Sequence, residues 1–283
     1  MRSRADMERI VRRHGRRQLA RVQARRSPAR ALRYAAQRDP TPLLDRDRRL
    51  MVLWTPKVAS STLAIWFWTV TGVRAEARAF SPDPHRYRQR VHYPSAAFGR
   101  ALADDLRSYT VVKVVRDPHR RAVSSYRHAL RQGYYDATMA RRLGRAVDEH
   151  AGYSFAEYLD LLADLKPRDV NPHDRLQRHP VERHLRPTHL IRLGDDDLFD
   201  ALAAVDASRG FGPIGLRDDE WVALVEGRRS PGSVAPGSGP DQRHGAAQAR
   251  AGGEWPASEE LLTPTMRSRV AELYRSDIEA YFP

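Results

Sequence analysis

LMVLWTPKVASSTLAIWFW, Leu50 to Trp68, is the stretch on which the fold turns. Met51 to Trp54 is an apolar run of strand length, Thr55-Pro56 breaks it, and Leu63 to Trp68 resumes with an apolar run that suits a helix. Between the two lie Lys57, Val58, Ala59, Ser60, Ser61 and Thr62. A chain that leaves a strand, turns and enters a helix presents N–H groups at the positive end of the helix macrodipole, a ready site for phosphate. Small hydroxyl residues let the anion approach the backbone, and one lysine supplies a full charge. The plainer alternative is a buried strand and helix joined by a Ser/Thr cap, with Lys57 merely solvated. The run has no glycine and its lysine precedes the turn, so it is not the GxxxxGK[ST] signature.

A second stretch, VVKVVRDPHRRAVSSYRHAL (Val111 to Leu130), repeats the design. Thr110 to Val115 is β-branched and reads as a buried parallel strand, and a helix is expected from about His119 to Arg131. Arg116 ends the strand. Arg121 and Ser124 are three apart and share a helical face, so guanidinium and hydroxyl groups converge where a second phosphate would sit.

Outward from these turns, the 283 residues suffice for one sizeable domain, and 41% hydrophobic content supports a globular chain. The absence of cysteine excludes disulfides, thiolate catalysis and cysteine-based zinc sites. No apolar run approaches the roughly 20 residues that span a bilayer, and the N-terminus lacks the apolar core of a signal peptide, so a cytoplasmic protein is expected. The net charge of +14 is concentrated in residues 1–40, which carry 13 arginines and three acids (+10); the other 36 basic and 32 acidic residues leave +4. This arginine-rich arm reads first as a solvated or partly disordered segment; it also suits contact with an acidic membrane surface, making the protein peripheral to it, or with another subunit, and specific nucleic-acid binding is not expected. Only Lys57, Lys113 and Lys166 are lysines, and against that background Lys57 stands out.

The remaining chain alternates strand and helix. Residues 74–95 read as irregular, Ala96 to Arg107 as helical, Ser154 to Leu165 as a helix capped by Ser154, and Asn171 to Pro187 as a polar surface loop. Thr188 to Leu193 is strand-like, and a helix follows from Asp195–Asp197 to about Ala207. Residues 227–256, rich in Gly, Pro and Ser, read as a mobile loop, and Thr263-Pro264 opens a closing helix. The pattern predicts one α/β domain over 41–283, its mainly parallel sheet flanked by helices and its ligand crevice beyond the carboxyl ends of the strands.

At this point the sequence resembles the sulfotransferases that use 3′-phosphoadenosine 5′-phosphosulfate (PAPS), especially the carbohydrate branch. The first motif is similar to that family's 5′-phosphosulfate loop. The second is similar to its 3′-phosphate motif, Arg-Asp-Pro followed at set spacing by Arg, Ser and Tyr, here Arg116, Asp117, Pro118, Arg121, Ser124 and Tyr126. HLRPT (His184 to Thr188) and ELYRSDIEAYF near the end extend the likeness weakly, over about residues 48–283. The resemblance implies a P-loop-like three-layer fold, PAPS as co-substrate, no metal, and a hydroxylated saccharide or glycolipid as acceptor. It assigns Lys57 and Val58–Thr62 to the phosphosulfate, and Arg116 with Ser124 to the 3′-phosphate. Ala59 stands where many members have glycine, a change read as minor because alanine is still small. Animal members of the branch carry a membrane anchor not seen here, which points to a bacterial cytoplasmic enzyme.

Transfer to a hydroxyl calls for a base, and His92 is the first candidate, by its similarity to a histidine ahead of the Arg-Asp-Pro motif in uronyl 2-O-sulfotransferases. His85, His184 and Glu76 are alternatives. By the same resemblance, the loop around Arg243 and His244 sits where related enzymes close a segment over the nucleotide; a plain disordered linker is the equal alternative. The histidines at 173, 179, 184 and 189 are too irregularly spaced to argue for a metal. Two other functions fit parts of the sequence: a small-molecule kinase of P-loop type, and a nucleic-acid-binding protein acting through its basic arm.

Overall fold

The run ending at Leu53 and the run ending at Arg116 lie side by side in the centre of a four-stranded sheet. The structure, a computed structural model, describes residues 28–38, 40–148, 152–212, 214–227, 239–244 and 256–283. In chain order, α1 (Pro28–Ala36), β1 (Leu43–Asp45), β2 (Leu50–Leu53), α2 (Ser60–Val70), α3 (Arg74–Phe80) and α4 (Pro84–Tyr87) lead through a π-helical turn, Arg88–His92, to α5 (Ala96–Ala103). Next come β3 (Thr110–Arg116), α6 (Pro118–Gln132), α7 (Asp136–Leu143), β4 (Tyr153–Ser154), α8 (Phe155–Asp164) and β5 (His189–Leu193). The chain closes with α9 (Leu198–Arg209), α10 (Glu220–Gly227), β6 (Arg243–His244), α11 (Ser258–Leu261), α12 (Pro264–Leu273) and α13 (Arg275–Tyr281).

Strand order is β1-β2-β3-β5, with β2, β3 and β5 parallel and β1 antiparallel on the edge beside β2. Strand alternation sorts the two faces. Leu50, Val52, Val112 and Val114 pack with α2, α9 and α10, while Met51, Leu53 and Val111 pack with α1 and α5. A third cluster joins α6, α8 and α12. Helices thus cover both faces of a mainly parallel sheet, the three-layer α/β arrangement expected. Among the described residues no helix is long and apolar enough to cross a membrane.

Several local expectations needed correction. Residues 74–95 are not irregular: Asp83 caps α4, Pro84 takes its first position, and the chain continues into the π turn. These segments are too short to display an apolar period. The 171–187 segment is not a surface loop throughout, because Asp174, Gln177, His179 and Val181 are buried. Its inward residues are mostly polar, so hydropathy could not reveal them; each buried polar group has a partner instead. The closing helix is two helices, broken at Tyr274. Of the arginine-rich arm, α1 is packed into the domain through Leu32, Ala35 and Ala36. Residues 1–27 and most of the 227–256 segment lie outside the described residues.

Candidate active site

The β2–α2 turn takes its shape from two left-handed residues. Lys57 has φ 72° and Ala59 φ 55°, with Val58 between them buried in the core. Alternating backbone hand turns successive N–H groups inward into a concave anion nest. Ala59 occupies the N-cap position of α2 and supplies no side-chain cap, whereas Asp117, Ser154, Asp197 and Thr263 cap α6, α8, α9 and α12. The plain Ser/Thr-capped junction is therefore not what forms. Ala59 is also more than a small residue in place of glycine: its backbone sits in the region that a Cβ disfavours. Ser60, Ser61 and Thr62 form the buried first turn of α2.

The second turn is built by its own sequence. Asp117 accepts the Arg120 N–H at 2.9 Å, and Pro118 takes the first helical position of α6. Arg121, expected at a phosphate, is buried instead. Its guanidinium donates to the carbonyls of Pro56 (3.4 Å), His173 (2.9 Å) and Arg175 (2.7 Å), and Ser125 donates to His173 O at 2.8 Å. Ser124, half-buried, takes the neighbouring face with Arg120 and His128, four residues to either side. Burial, with the charges of Arg120, Arg127 and Arg121 against that of Asp117, holds the Arg116 guanidinium below its ordinary pKa. Such a crowd of cations favours an anion among them.

The two turns meet. Arg116 Nη1 donates to the Lys57 carbonyl at 3.3 Å, so the strand end of the second motif touches the nest of the first. Residues 41–192, which contain both turns, match the model of the Sulfotransferase family, over more than half the chain. The chain belongs to the sulfotransferase family. No match was found among curated proteins. Family membership makes the chain a transferase, with sulfuryl transfer as its general chemistry.

This sulfotransferase sorts its histidines by environment. His92, the first-ranked base from sequence, closes the π turn inside a ring enclosure of Phe67, Trp68, Tyr93 and Phe98, at centroid distances of 5.1–5.6 Å. Phe67 and Trp68 lie about two helical turns, roughly 10 Å, along α2 from its first turn. Burial among those rings, with the charge of Arg88, pushes the His92 imidazole down to about 4, and its Nε2 is buried with no hydrogen-bond partner among the described residues. His85 reaches the first turn of α2, its Nε2 2.8 Å from Ser61 Oγ and its ring stacked near Trp54. Asp83 fixes it by capping α4 two residues earlier. His184 is exposed beyond the 180–183 turn, and Glu76 is exposed on α3.

Arg121, read as a phosphate ligand, is a strut instead, and two further residues near the turns, His173 and Gln177, had no site role in the sequence reading. His173 is pushed down to about 4 by burial, then by the charges of Lys57 and Arg121, which places it close to the nest; Asn171 Oδ1 holds its Nδ1 at 2.8 Å. Gln177 bonds the backbone of Arg116 on both sides of the residue. Only Arg121 carried a signal, being part of the motif.

Arg243 and His244 are paired with β4 in β6, Arg243 bridges to Glu157 at 2.7 Å, and His244 is buried. Both are thus fixed on the start of α8. A hollow of about 1090 Å³ shares Thr55 with the β2–α2 turn and has Arg38, Arg168, Arg175 and Arg178 on its walls.

Proposed function

We propose that this sulfotransferase moves the sulfuryl group of PAPS to a hydroxyl of a carbohydrate or glycolipid. The Arg116–Lys57 contact carries the reading. It joins two anion-seeking turns within the reach of one guanidinium, as a donor phosphorylated at its 3′ end and sulfated at its 5′ end requires. The residues fit that donor: an uncapped helix start and a backbone nest on one side, clustered arginines on the other.

In this reading Lys57 and the 58–62 backbone hold the phosphosulfate, while Arg116 and Ser124 hold the 3′-phosphate. The acceptor oxygen bonds to sulfur as the bond from sulfur to the 5′-phosphate oxygen breaks, and charge grows on the departing oxygen. Lys57 stabilises that charge. His85, rather than the enclosed His92, takes the acceptor's proton, and Ser61 ties it to the nest. The arginine-walled hollow beside Thr55 supports an extended polar acceptor such as a saccharide. The +10 charge of residues 1–40 supports contact with an acidic membrane surface or a second subunit.

Calorimetry with adenosine 3′,5′-bisphosphate against Mg·ATP tests the donor. Tighter binding of the bisphosphate is expected, and preference for Mg·ATP would instead favour a kinase. Transfer of labelled sulfate from PAPS to a panel of hydroxylated glycans then tests the acceptor.

A further inference from the structure

Resting on that reading of Arg116, we infer that Gln177 is the positioning residue that makes the site selective for a 3′-phosphate. Its side chain is fully buried and matches the Arg116 peptide groups as a neighbouring strand would. The Arg116 N–H donates to Gln177 Oε1 at 2.9 Å, and Gln177 Nε2 donates to Arg116 O at 2.8 Å.

Sheet topology explains why such a partner is needed. Pairing of β2 with β3 ends at Leu53–Lys113, whereas β3 runs three residues further to Arg116. Beyond Lys113 the β2 side of the strand has no ladder, and an unsupported strand end would let the guanidinium wander. Gln177 fills that place. A carboxamide offers one acceptor and one donor, as the two peptide groups demand; a carboxylate cannot donate, and an apolar side chain can do neither.

Gln177 is itself held from two directions. Its N–H donates to both oxygens of Asp277 at 3.0 and 2.8 Å, and its carbonyl accepts from Lys113 Nζ at 2.5 Å. Lys113 is fully buried and paired with Glu182 at 3.0 Å, and Asp277 is a fully buried residue of α13. The support of Arg116 therefore runs from the closing helix through Gln177 to the strand end. At the other end of the side chain, the Lys57 carbonyl fixes the guanidinium. With backbone and head both set, the arginine is preorganised, which removes an ordering cost from binding.

The test compares affinities for adenosine 3′,5′-bisphosphate and adenosine 5′-phosphate, which differ only by the 3′-phosphate, in the full chain and in Gln177→Leu and Gln177→Glu. The wild type should prefer the bisphosphate. Each variant should lose at least tenfold of that preference, with affinity for the monophosphate within about twofold of wild type. In an Arg116→Ala background, Gln177→Leu should change bisphosphate affinity no further. A folded variant that keeps the full preference overturns the inference, as does a parallel fall in both affinities, the sign of a merely structural role. Should Gln177→Leu not fold, Gln177→Glu and its own cycle with Arg116→Ala decide the matter. A wild type with no preference for the bisphosphate overturns the reading of Arg116 itself, before Gln177 is considered.

Discussion

The Arg116 guanidinium donates to the carbonyl of Lys57 across 59 residues of sequence, at 3.3 Å, and so couples the two turns that the site is built from. Each turn alone would be an ordinary strand-to-helix junction. Together they bring the guanidinium of one motif onto the backbone of the other.

Removing that guanidinium should cost affinity at one end of the donor only. Arg116→Ala is expected to weaken adenosine 3′,5′-bisphosphate binding by about 1.5–3 kcal/mol, the range for bonds to charged groups, roughly 10- to 150-fold. Calorimetry with the bisphosphate and with adenosine 5′-phosphate checks this. Equal losses for both ligands would detach Arg116 from the 3′-phosphate.

Two histidine substitutions separate the candidate bases. His85→Ala should lower turnover by about 10²- to 10⁴-fold, the usual share of general-base catalysis, with bisphosphate affinity retained. His92→Phe, which keeps the ring enclosure filled, should retain turnover. Rates of labelled sulfate transfer in the two variants distinguish them, and the opposite pattern would return the base to His92.

Acid should destabilise the fold. His92, His173 and His179 are each lowered to about 4, first by burial, so the native state stays unprotonated between about 4 and the ordinary histidine value near 6.5 while the unfolded chain takes up protons. Their contribution is complete above about pH 6.5 and is lost as pH falls towards 4, with a slope of up to about 1.4 kcal/mol per pH unit for each histidine. Asp206, raised to about 6 by burial against its bond from Trp66, acts in the opposite sense below pH 6. Urea unfolding at stepped pH should show the fall, and His92→Phe should flatten it by one histidine's share; an unchanged slope would mean that His92 titrates normally.

Arg121→Leu should destabilise the protein by about 3 kcal/mol or more, because three carbonyls lose one buried donor. Denaturant midpoints give the number. A neutral outcome would show that the strut is dispensable and that Arg121 is open to a ligand role after all.

Ala59→Gly should raise stability by about 0.5–1 kcal/mol, since relief of the left-handed strain exceeds the extra entropy of an unfolded glycine. Thermal unfolding reads the shift, and bisphosphate affinity should not fall. A lower melting temperature would place Ala59 outside the left-handed region.

The two turns and their flanking elements were readable because the strands are buried on both faces and the signals are local: an apolar run, a proline, a cap. Asp117 and Pro118 start α6 as their types demand, and Ser154 with Glu157 starts α8 by a capping box. The π turn that carries His92 inward has no such signature, so the choice between His92 and His85 was not open to sequence reasoning. Polar burial was equally hidden. Gln177 and Asp174 look like loop residues because hydropathy records what a side chain prefers in water, not which partner will meet it.

By itself, then, the sequence determined where strands stop, where helices start, and that Lys57 and Arg116 each sit at such a boundary, because backbone sterics, capping and apolar periodicity act over a few residues. Tertiary structure alone decided that Arg116 meets Lys57, that Arg121 turns to buried carbonyls while Ser124 stays half-buried, and that Gln177 completes a strand 61 positions distant. Those choices depend on which surfaces are brought together when the sheet is covered, and that is set by packing over the whole chain rather than by any one stretch of it.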